Sequence, residues 1–264
     1  MTPKFILNPY YYGQPLAGLD HLANDDWAVN HPTEPLPPVT SDEMSPQETM
    51  ARMIEIYRPL AEWSESTIKQ GNCAVALSGD CSSSIPMLTG VQNAGISPTF
   101  IWFDAHGDFN TWETTPSGFL GGMPLAIVSG RGEQMIPRAL AFDNIPDDQI
   151  ILTDARELDP GEVANLSNSE VTHLSDVSML LEFDLPSRPI SIHFDVDVIN
   201  LAEAKAMSFP TPGGPSVALL SRVFKHLAAT QQIISVSVSS WVPELDSDGE
   251  TEAAVMSLLN DLVG

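Results

Sequence analysis

Residues 99–110 read TFIWFDAHGDFN, a stretch in which an apolar run is followed by alternating polar residues. Its first five residues are mostly apolar, which predicts a strand that is buried on both faces. Its remaining residues are mostly polar, beginning at Asp104. Similar short apolar runs recur at residues 5–7, 73–77, 149–153, 190–194 and 233–238. The recurrence of such runs predicts a sheet of buried, mainly parallel strands.

Segments long enough for helices separate these runs. One helix is expected to begin at Ser45-Pro46, because serine caps helices and proline fits the first turn. The others are predicted near residues 84–94, 119–129, 161–167, 175–182, 216–229 and 250–262. Alternating strands and helices predict an α/β fold. Before residue 46 we expect only loop after the first strand, and we expect residues 1–264 to form a single domain because no linker composition divides them.

The charge balance is strongly acidic. Eleven Lys and Arg residues stand against 35 Asp and Glu residues, which gives a formal net charge of −24 in 264 residues. Such a field repels nucleic acids and anionic membranes, so we expect neither as a partner. A cationic substrate, a metal ion or a high-salt environment would suit it, and so would solubility alone. Two cysteines and the lack of a signal peptide or long apolar span predict a cytoplasmic protein.

Acidic side chains follow two of the predicted strands. Asp104, His106 and Asp108 alternate along the chain, so their side chains are expected to point to one side of the strand tip. Asp195 and Asp197 follow the run at 190–194 in the same way. A single Asp-x-Asp is more often a turn or a helix cap than a metal site. Two such clusters, one with an interleaved histidine, favour a metal site because divalent cations offset the mutual repulsion of the carboxylates.

Four segments resemble signatures of the ureohydrolase family, which contains the arginases and agmatinases, and their order and spacing also agree. They are DAHGDFNT at 104–111, HFDVD at 193–197, SGDCS at 78–82 and FPTPGG at 209–214. The resemblance implies an arginase-like, three-layer α/β/α sandwich with a central, mainly parallel sheet. It also implies two divalent metal ions, usually Mn²⁺, and a homo-oligomer, either a trimer or a hexamer.

The resemblance also implies roles for individual side chains. Its metal ligands would be Cys81, Asp104, His106, Asp108, Asp195 and Asp197, with His106 and Asp108 as the catalytic residues. Two divalent ions lower the pKa of water. The implied reaction is therefore hydrolysis of a linear amidine, which releases urea and an amine.

Three further positions concern the substrate. By resemblance, Asn110 and Ser117 would bind the α-carboxylate of an amino acid, and Asp159 would bind its α-amino group. Asn110 and Ser117 are equally typical of a pair that stabilises a turn. The first interpretation predicts a small-molecule amino acid substrate rather than a simple amine.

Four residues depart from the arginase pattern. Cys81 stands where arginases have a histidine ligand, and its softer thiolate would weaken the preference for Mn²⁺ over Zn²⁺ or Fe²⁺. Cys81 could alternatively be a bystander that leaves the first metal weakly held. Gly121 replaces a histidine thought to shuttle protons, and Asn200 replaces an outer aspartate. Ser240 replaces a glutamate that pairs with the guanidinium group, so Ser240 is expected in the substrate pocket.

Two hypotheses follow from this pattern. The first is an amidinohydrolase acting on the guanidino, hydroxyguanidino or related amidine C–N bond of an amino acid. Several motifs are similar to the branch that hydrolyses N-hydroxyarginine, whose less basic substrate depends less on a carboxylate at residue 240. The second is a non-catalytic or repurposed homologue that binds metal or an amino acid.

Overall fold

A computed structural model of the chain describes residues 1–16, 18, 19, 22, 28–30 and 44–264. The strands in these residues are β1 (Pro3–Asn8), β2 (Tyr10–Tyr11), β3 (Gln14–Pro15), β4 (Ala28–Asn30), β5 (Cys73–Ser78), β6 (Thr99–His106), β7 (Ile150–Glu157), β8 (Thr172–Leu174), β9 (Ile190–Asp195) and β10 (Ile233–Ser239). Eight of them form one sheet in the order β4-β1-β5-β10-β9-β6-β7-β8, and each neighbouring pair is parallel. The remaining two form an antiparallel hairpin.

Apolar side chains cover both faces of the sheet. In β6, Phe100 and Trp102 join a buried cluster on one face, whereas Ile101 and Phe103 join a cluster on the other. This division follows from the two-residue repeat of a strand. Helices pack on both faces, so the chain is a three-layer α/β/α sandwich, as the sequence predicted.

Several helices of the described residues begin at a capping side chain or at a proline in the first turn. The helices are α1 (Pro46–Lys69), α2 (Ser84–Asn93), α3 (Pro124–Val128), α4 (Met135–Leu140), α5 (Pro160–Ser167), α6 (Val217–Thr230) and α7 (Glu250–Val263). Helix α1 begins where the sequence predicted. The Ser45 hydroxyl accepts a hydrogen bond from the Glu48 amide, and the Glu48 carboxylate accepts one from the Ser45 amide. This reciprocal pair satisfies two amides that the first helical turn leaves without partners.

The structure corrects several local predictions. Residues 177–181 form a 3₁₀ helix instead of the α-helix predicted at 175–182, and the helix predicted at 119–129 is a 3₁₀ turn followed by the short α3. The sequence missed α4, β4, β8 and the β2–β3 hairpin, because each is too short for a periodic pattern. Most of the loop predicted before residue 46 lies outside the described residues. Within the described part of the chain, no helix is long and apolar enough to cross a membrane.

Candidate metal centre and cavity

Four neighbouring strands bring the predicted site residues together. Strands β5, β10, β9 and β6 are adjacent and parallel, so their carboxyl ends meet at one edge of the sheet. Cys81 follows β5, Ser240 follows β10, Asp195 ends β9, and Asp104 and His106 lie in the last residues of β6. The crevice at such an edge is where open parallel sheets bind ligands.

One oxygen of Asp195 accepts three hydrogen bonds. The thiol of Cys81 donates to Oδ2 over 3.0 Å, the Ser239 hydroxyl over 3.2 Å and the Ser240 hydroxyl over 2.5 Å. The other oxygen accepts from the Asp197 amide at 2.9 Å. Burial, together with the charge of Asp104, raises the pKa of Asp195 to about 6. The site therefore concentrates donors and negative charge around one buried carboxylate.

A second group forms around His106. Its Nδ1 lies 3.0 Å from Asp197 Oδ2 and 3.3 Å from Asp104 Oδ1. Asp104 is fixed in place by the Trp102 indole, which donates over 2.8 Å, and by the His106 amide, which donates over 2.7 Å. Burial would lower the pKa of His106, but hydrogen bonds with Asp104 and Asp197 outweigh it and raise the pKa to about 12.

Asp108 carries a buried oxygen that has no partner. Its Oδ2 atom is fully buried and accepts no hydrogen bond. Its backbone adopts φ +47°, in the left-handed region that aspartate tolerates better than most residues. Burial and the charge of Asp104 raise the pKa of Asp108 well above its ordinary value. A buried carboxylate oxygen without a donor is costly unless a cation or another ligand meets it.

Acidic and aromatic side chains line the cavity above these residues, and among the described residues that line it none is lysine or arginine. The acidic ones are Asp80, Asp104, Asp108, Glu157, Asp159, Glu162, Asp195 and Asp197; the aromatic ones are Tyr11, Tyr12, Phe119 and Phe209. The sequence interpretation missed the aromatic side chains and two glutamates, Glu157 and Glu162. For the tyrosines a signal was available, since they belong to a run of three tyrosines shortly after the predicted first strand.

The β2–β3 hairpin brings the tyrosines to the cavity. Tyr12 and Gly13 form its two-residue turn with φ values of +44° and +79°, as a type I′ turn requires. The Tyr12 amide donates to Asp80 Oδ2 over 2.9 Å, and the Tyr57 hydroxyl donates to Asp80 Oδ1 over 2.6 Å. Asp80 therefore anchors the hairpin beside the candidate metal centre, although burial raises its pKa to about 6.

The three residues predicted to bind the α-carboxylate and α-amino groups differ in whether they line the cavity. Asp159 lines the cavity. Asn110 is buried behind it, and its amide donates to Asp159 Oδ2 over 2.9 Å. Ser117 is exposed and does not line the cavity; its hydroxyl lies 3.3 Å from that of Thr115 and accepts from the Phe119 amide. These hydrogen bonds are typical of a residue that stabilises a turn. They favour the second of the two interpretations that the sequence left open for Ser117.

Gly121 and Ser240 both line the cavity, and the sequence analysis expected this of Ser240. A Cβ atom on Gly121 would overlap the ring of Phe119 and lie 2.8 Å from the Tyr12 hydroxyl. The space that a side chain at residue 121 would enter is therefore filled by Phe119 and Tyr12.

Comparison of the amino-acid sequence with known proteins identifies the family of this chain. A sequence model described as "Arginase family" matches residues 39–264. This chain belongs to the arginase family. An arginase from Bacillus caldovelox is 29% identical over 223 residues, which cover 80% of this chain and 75% of that protein. The N(omega)-hydroxy-L-arginine amidinohydrolase of Streptomyces lavendulae is 26% identical over 266 residues, which cover 98% and 85%.

The fold of the family is also evident in solved structures. The crystal structure of the Bacillus caldovelox arginase matches with a TM-score of 0.85 at 23% identity, and covers 100% of this chain and 98% of that one. This likeness confirms the arginase-like sandwich. Assembly into trimers or hexamers and a cytoplasmic location stay predictions for this member of the arginase family.

The metal-free arginase homologue should become less stable as the pH rises from about 4 to about 6. A carboxyl group whose pKa is raised on folding stabilises the folded state below its unfolded pKa of about 3.9, and this contribution is lost as the pH rises through the folded value. Asp80 and Asp195 both have such raised pKa values, near 6. Thermal unfolding of chelated protein between pH 4 and 7 measures the effect.

The Asp195→Asn variant is the control for this pH dependence. Its chelated form should lose part of the slope, because one of the two groups no longer titrates. Identical slopes in the variant and the original chain would contradict the assignment.

Proposed function

We propose that this chain is a metal-dependent amidinohydrolase that cleaves the guanidino, hydroxyguanidino or related amidine C–N bond of an amino acid and releases urea or hydroxyurea. The observation that carries the proposal is the cavity itself. Eight acidic side chains line it, and no lysine or arginine among the described lining residues neutralises them. Such a cavity favours cations, both metal ions and a positively charged substrate, over anions.

The residues present fit two divalent cations. Two groups of potential ligands exist in the described residues: Cys81, Asp104, His193 and Asp195 form one, and Asp104, His106 and Asp197 form the other. Asp104 belongs to both groups, so it would be a ligand in each. Asp108 adds the buried oxygen that lacks a partner. A bound metal pair would supply a nucleophile by lowering the pKa of water and would polarise the amidine.

The other side chains of the cavity would bind and orient the substrate. The aromatic rings of Tyr11, Tyr12, Phe119 and Phe209 offer apolar surface for an alkyl chain and favourable faces for a cation. Asp159 is the proposed partner of the α-amino group. His106 Nε2 lies 3.2 Å from the Thr211 hydroxyl, which itself donates to Glu157 over 3.0 Å. This chain of contacts fixes the imidazole at the edge of the cavity.

The structure supports a binding site for the substrate α-carboxylate less strongly than one for the α-amino group. Ser117 does not line the cavity, and the Asn110 amide is occupied by Asp159. Decarboxylated amidines therefore belong in any substrate panel beside the amino acids.

Urea release tests the proposed function. Purified protein should be loaded separately with Mn²⁺, Zn²⁺ and Fe²⁺, and assayed with arginine, N-hydroxyarginine, agmatine and further linear amidines. We expect multiple turnovers with at least one pair of metal and amidine, and none after chelation. Complete inactivity over the whole panel in a folded, metal-loaded protein would refute it.

One observation favours a second candidate function, a non-catalytic homologue that binds metal or an amino acid. Phe119 and Tyr12 fill the place of the proton-shuttling histidine at Gly121. Titration calorimetry that detects amino acid binding without turnover would support this alternative, and multiple turnovers would exclude it.

Ser240→Glu should raise the specificity constant for arginine by about tenfold or more. Ser240 lines the cavity beside Asp195, and a hydrogen bond to a charged group contributes about 1.5–3 kcal/mol. A neutral hydroxyguanidine should gain little, so the contrast between the two substrates is the decisive measurement.

Ser240→Ala is the matched control, since it removes the hydroxyl bond to Asp195 without adding charge. An unchanged arginine specificity constant in folded, metal-loaded Ser240→Glu would mean that residue 240 does not face the guanidinium group.

A further inference from the structure

His193 is a fully buried histidine to which the sequence interpretation gave no role. It lies on β9 two residues before Asp195, so the two side chains point to the same side of the strand. Its ring stacks on Trp102 with centroids 3.9 Å apart. Nδ1 lies 2.9 Å from the Ser237 hydroxyl, and Nε2 lies 3.2 Å from the Ser239 hydroxyl. The imidazole is thus held in one orientation, with Nε2 towards the candidate metal centre.

Three potential ligand atoms surround the Ser239 hydroxyl. Its oxygen lies 3.2 Å from His193 Nε2, 3.3 Å from Cys81 Sγ and 3.2 Å from Asp195 Oδ2. With Asp104 they form a set of four buried side chains whose ligand atoms all lie within 4.8 Å of one another. Rotations that move these atoms by about 1 Å, with the Ser239 hydroxyl turned away, would bring them to the spacing of a tetrahedral zinc site.

The donor set differs between the two candidate groups. Cys81, His193, Asp104 and Asp195 combine sulfur, nitrogen and oxygen, which is a set typical of Zn²⁺. The other group, Asp104, His106 and Asp197, contains no sulfur and suits a harder ion. The buried Asp108 oxygen that has no donor is an independent sign that a cation belongs in this cavity.

We propose that His193 is a direct ligand of the first metal and that, with Cys81, it makes this position selective for Zn²⁺ over Mn²⁺. The inference rests on the proposed function in one respect, that the cavity binds metal. It makes the two metal positions unlike each other, one selective for zinc and one composed of carboxylates and His106.

Metal affinities of matched variants test the proposal. Zn²⁺ and Mn²⁺ dissociation constants are measured on chelated full-length protein by competition with a chromophoric chelator, with metal content checked by mass spectrometry. Loss of a group that only supports a ligand typically costs about 10–100-fold in metal affinity. We expect His193→Gln and Cys81→Ser each to lower the Zn²⁺ affinity by more than about 100-fold, and Ser239→Ala, which removes only a supporting hydroxyl, to lower it by no more than about 100-fold and by less than either of them.

The pairing of His193→Gln with Ser239→Ala decides between direct ligation and an indirect role. If His193 acted only through the Ser239 hydroxyl, the two variants would weaken Zn²⁺ binding equally, and that result would overturn the proposal. Wild-type Zn²⁺ affinity in His193→Gln would overturn it as well.

X-ray absorption spectroscopy covers the case in which His193→Gln does not fold. The His106→Asn variant, loaded with one equivalent of Zn²⁺, removes the second imidazole of the two candidate ligand groups in the described residues. We expect one sulfur near 2.3 Å and one imidazole nitrogen near 2.0–2.1 Å, the usual zinc distances. A shell with sulfur but no imidazole, or with oxygen alone, would refute ligation by His193.

The proposed function and this inference fail in different ways. Zinc bound through sulfur and imidazole, with no urea from any amidine, would leave the inference standing and remove the function. Urea release by a His193→Gln variant that keeps wild-type Zn²⁺ affinity would remove the inference and leave the function.

Discussion

Replacing Asp108 with asparagine should abolish metal-dependent hydrolysis while leaving the metal-free protein at least as stable as the original chain. Oδ2 of Asp108 is buried without a partner, so the amide replaces an oxygen that has no hydrogen bond to lose. The substitution also relieves repulsion from Asp104, one of the causes that raise the pKa of Asp108. Most single substitutions at buried polar sites destabilise a protein, so a neutral or stabilising result would be distinctive.

The expected loss of activity is about a thousandfold or more. A bound metal ion contributes several kcal/mol of transition-state stabilisation, and each 1.36 kcal/mol corresponds to a factor of ten in rate. Urea release, metal content and chemical denaturation with and without chelator are the three measurements.

Asn110→Asp is a useful contrast to Asp108→Asn, because it adds a charge beside Asp159 without touching the proposed ligands. It should weaken substrate binding and leave metal content unchanged. Full metal occupancy and full activity in Asp108→Asn would show that Asp108 is not a ligand.

Arg156→Met should lower the free energy of unfolding by about 3 kcal/mol, because it breaks a partly buried ion pair and also removes the side chain's hydrogen bonds to the backbone. The guanidinium group pairs with Asp154 over 2.5 Å, and it donates to four backbone carbonyls in two separate segments. These carbonyls belong to Asp197, Val198, Thr211 and Pro212. The Arg156 side chain therefore connects the end of β7 to the turn after β9 and to the FPTPGG segment at residues 209–214.

The backbone at the end of β7 adopts unfavourable conformations that the hydrogen bonds of Arg156 help to hold. Asp154 and Ala155 have φ values of +72° and +43°, and the pairing of β6 with β7 shifts register there. Such conformations are strained for residues other than glycine, so the surrounding contacts must hold them. Metal affinity should fall together with stability, because the Asp197 carbonyl loses its donor.

Two further variants define the Arg156 effect in urea unfolding. Arg156→Lys keeps the charge but cannot reproduce the fork of donors, so it should lose an intermediate amount of stability. Arg138→Met, at an exposed position on α4, should change stability by less than about 0.5 kcal/mol. A loss in Arg156→Met no larger than that of Arg138→Met would contradict the role of Arg156.

The main strands, most of the longer helices and the metal-centre candidates could all be predicted from the amino-acid sequence. Buried parallel strands appear as continuous apolar runs, and the residues that follow them reach the edge where ligands bind. Asp104, His106, Asp195 and Asp197 could be recognised for this reason. These signals are local, since each depends on a few consecutive residues.

Which side chains contact one another could not be predicted from the sequence, because it depends on the order of the strands in the sheet. The sheet order places β5, β10, β9 and β6 side by side, and this order brings Cys81 to within hydrogen-bonding distance of Asp195, 114 residues away. The packing of the β2–β3 hairpin likewise places Tyr12 in the cavity lining, whereas Ser117 lies outside that lining. Contacts between residues so distant along the chain depend on the packing of whole elements, and no local pattern in the sequence records that packing.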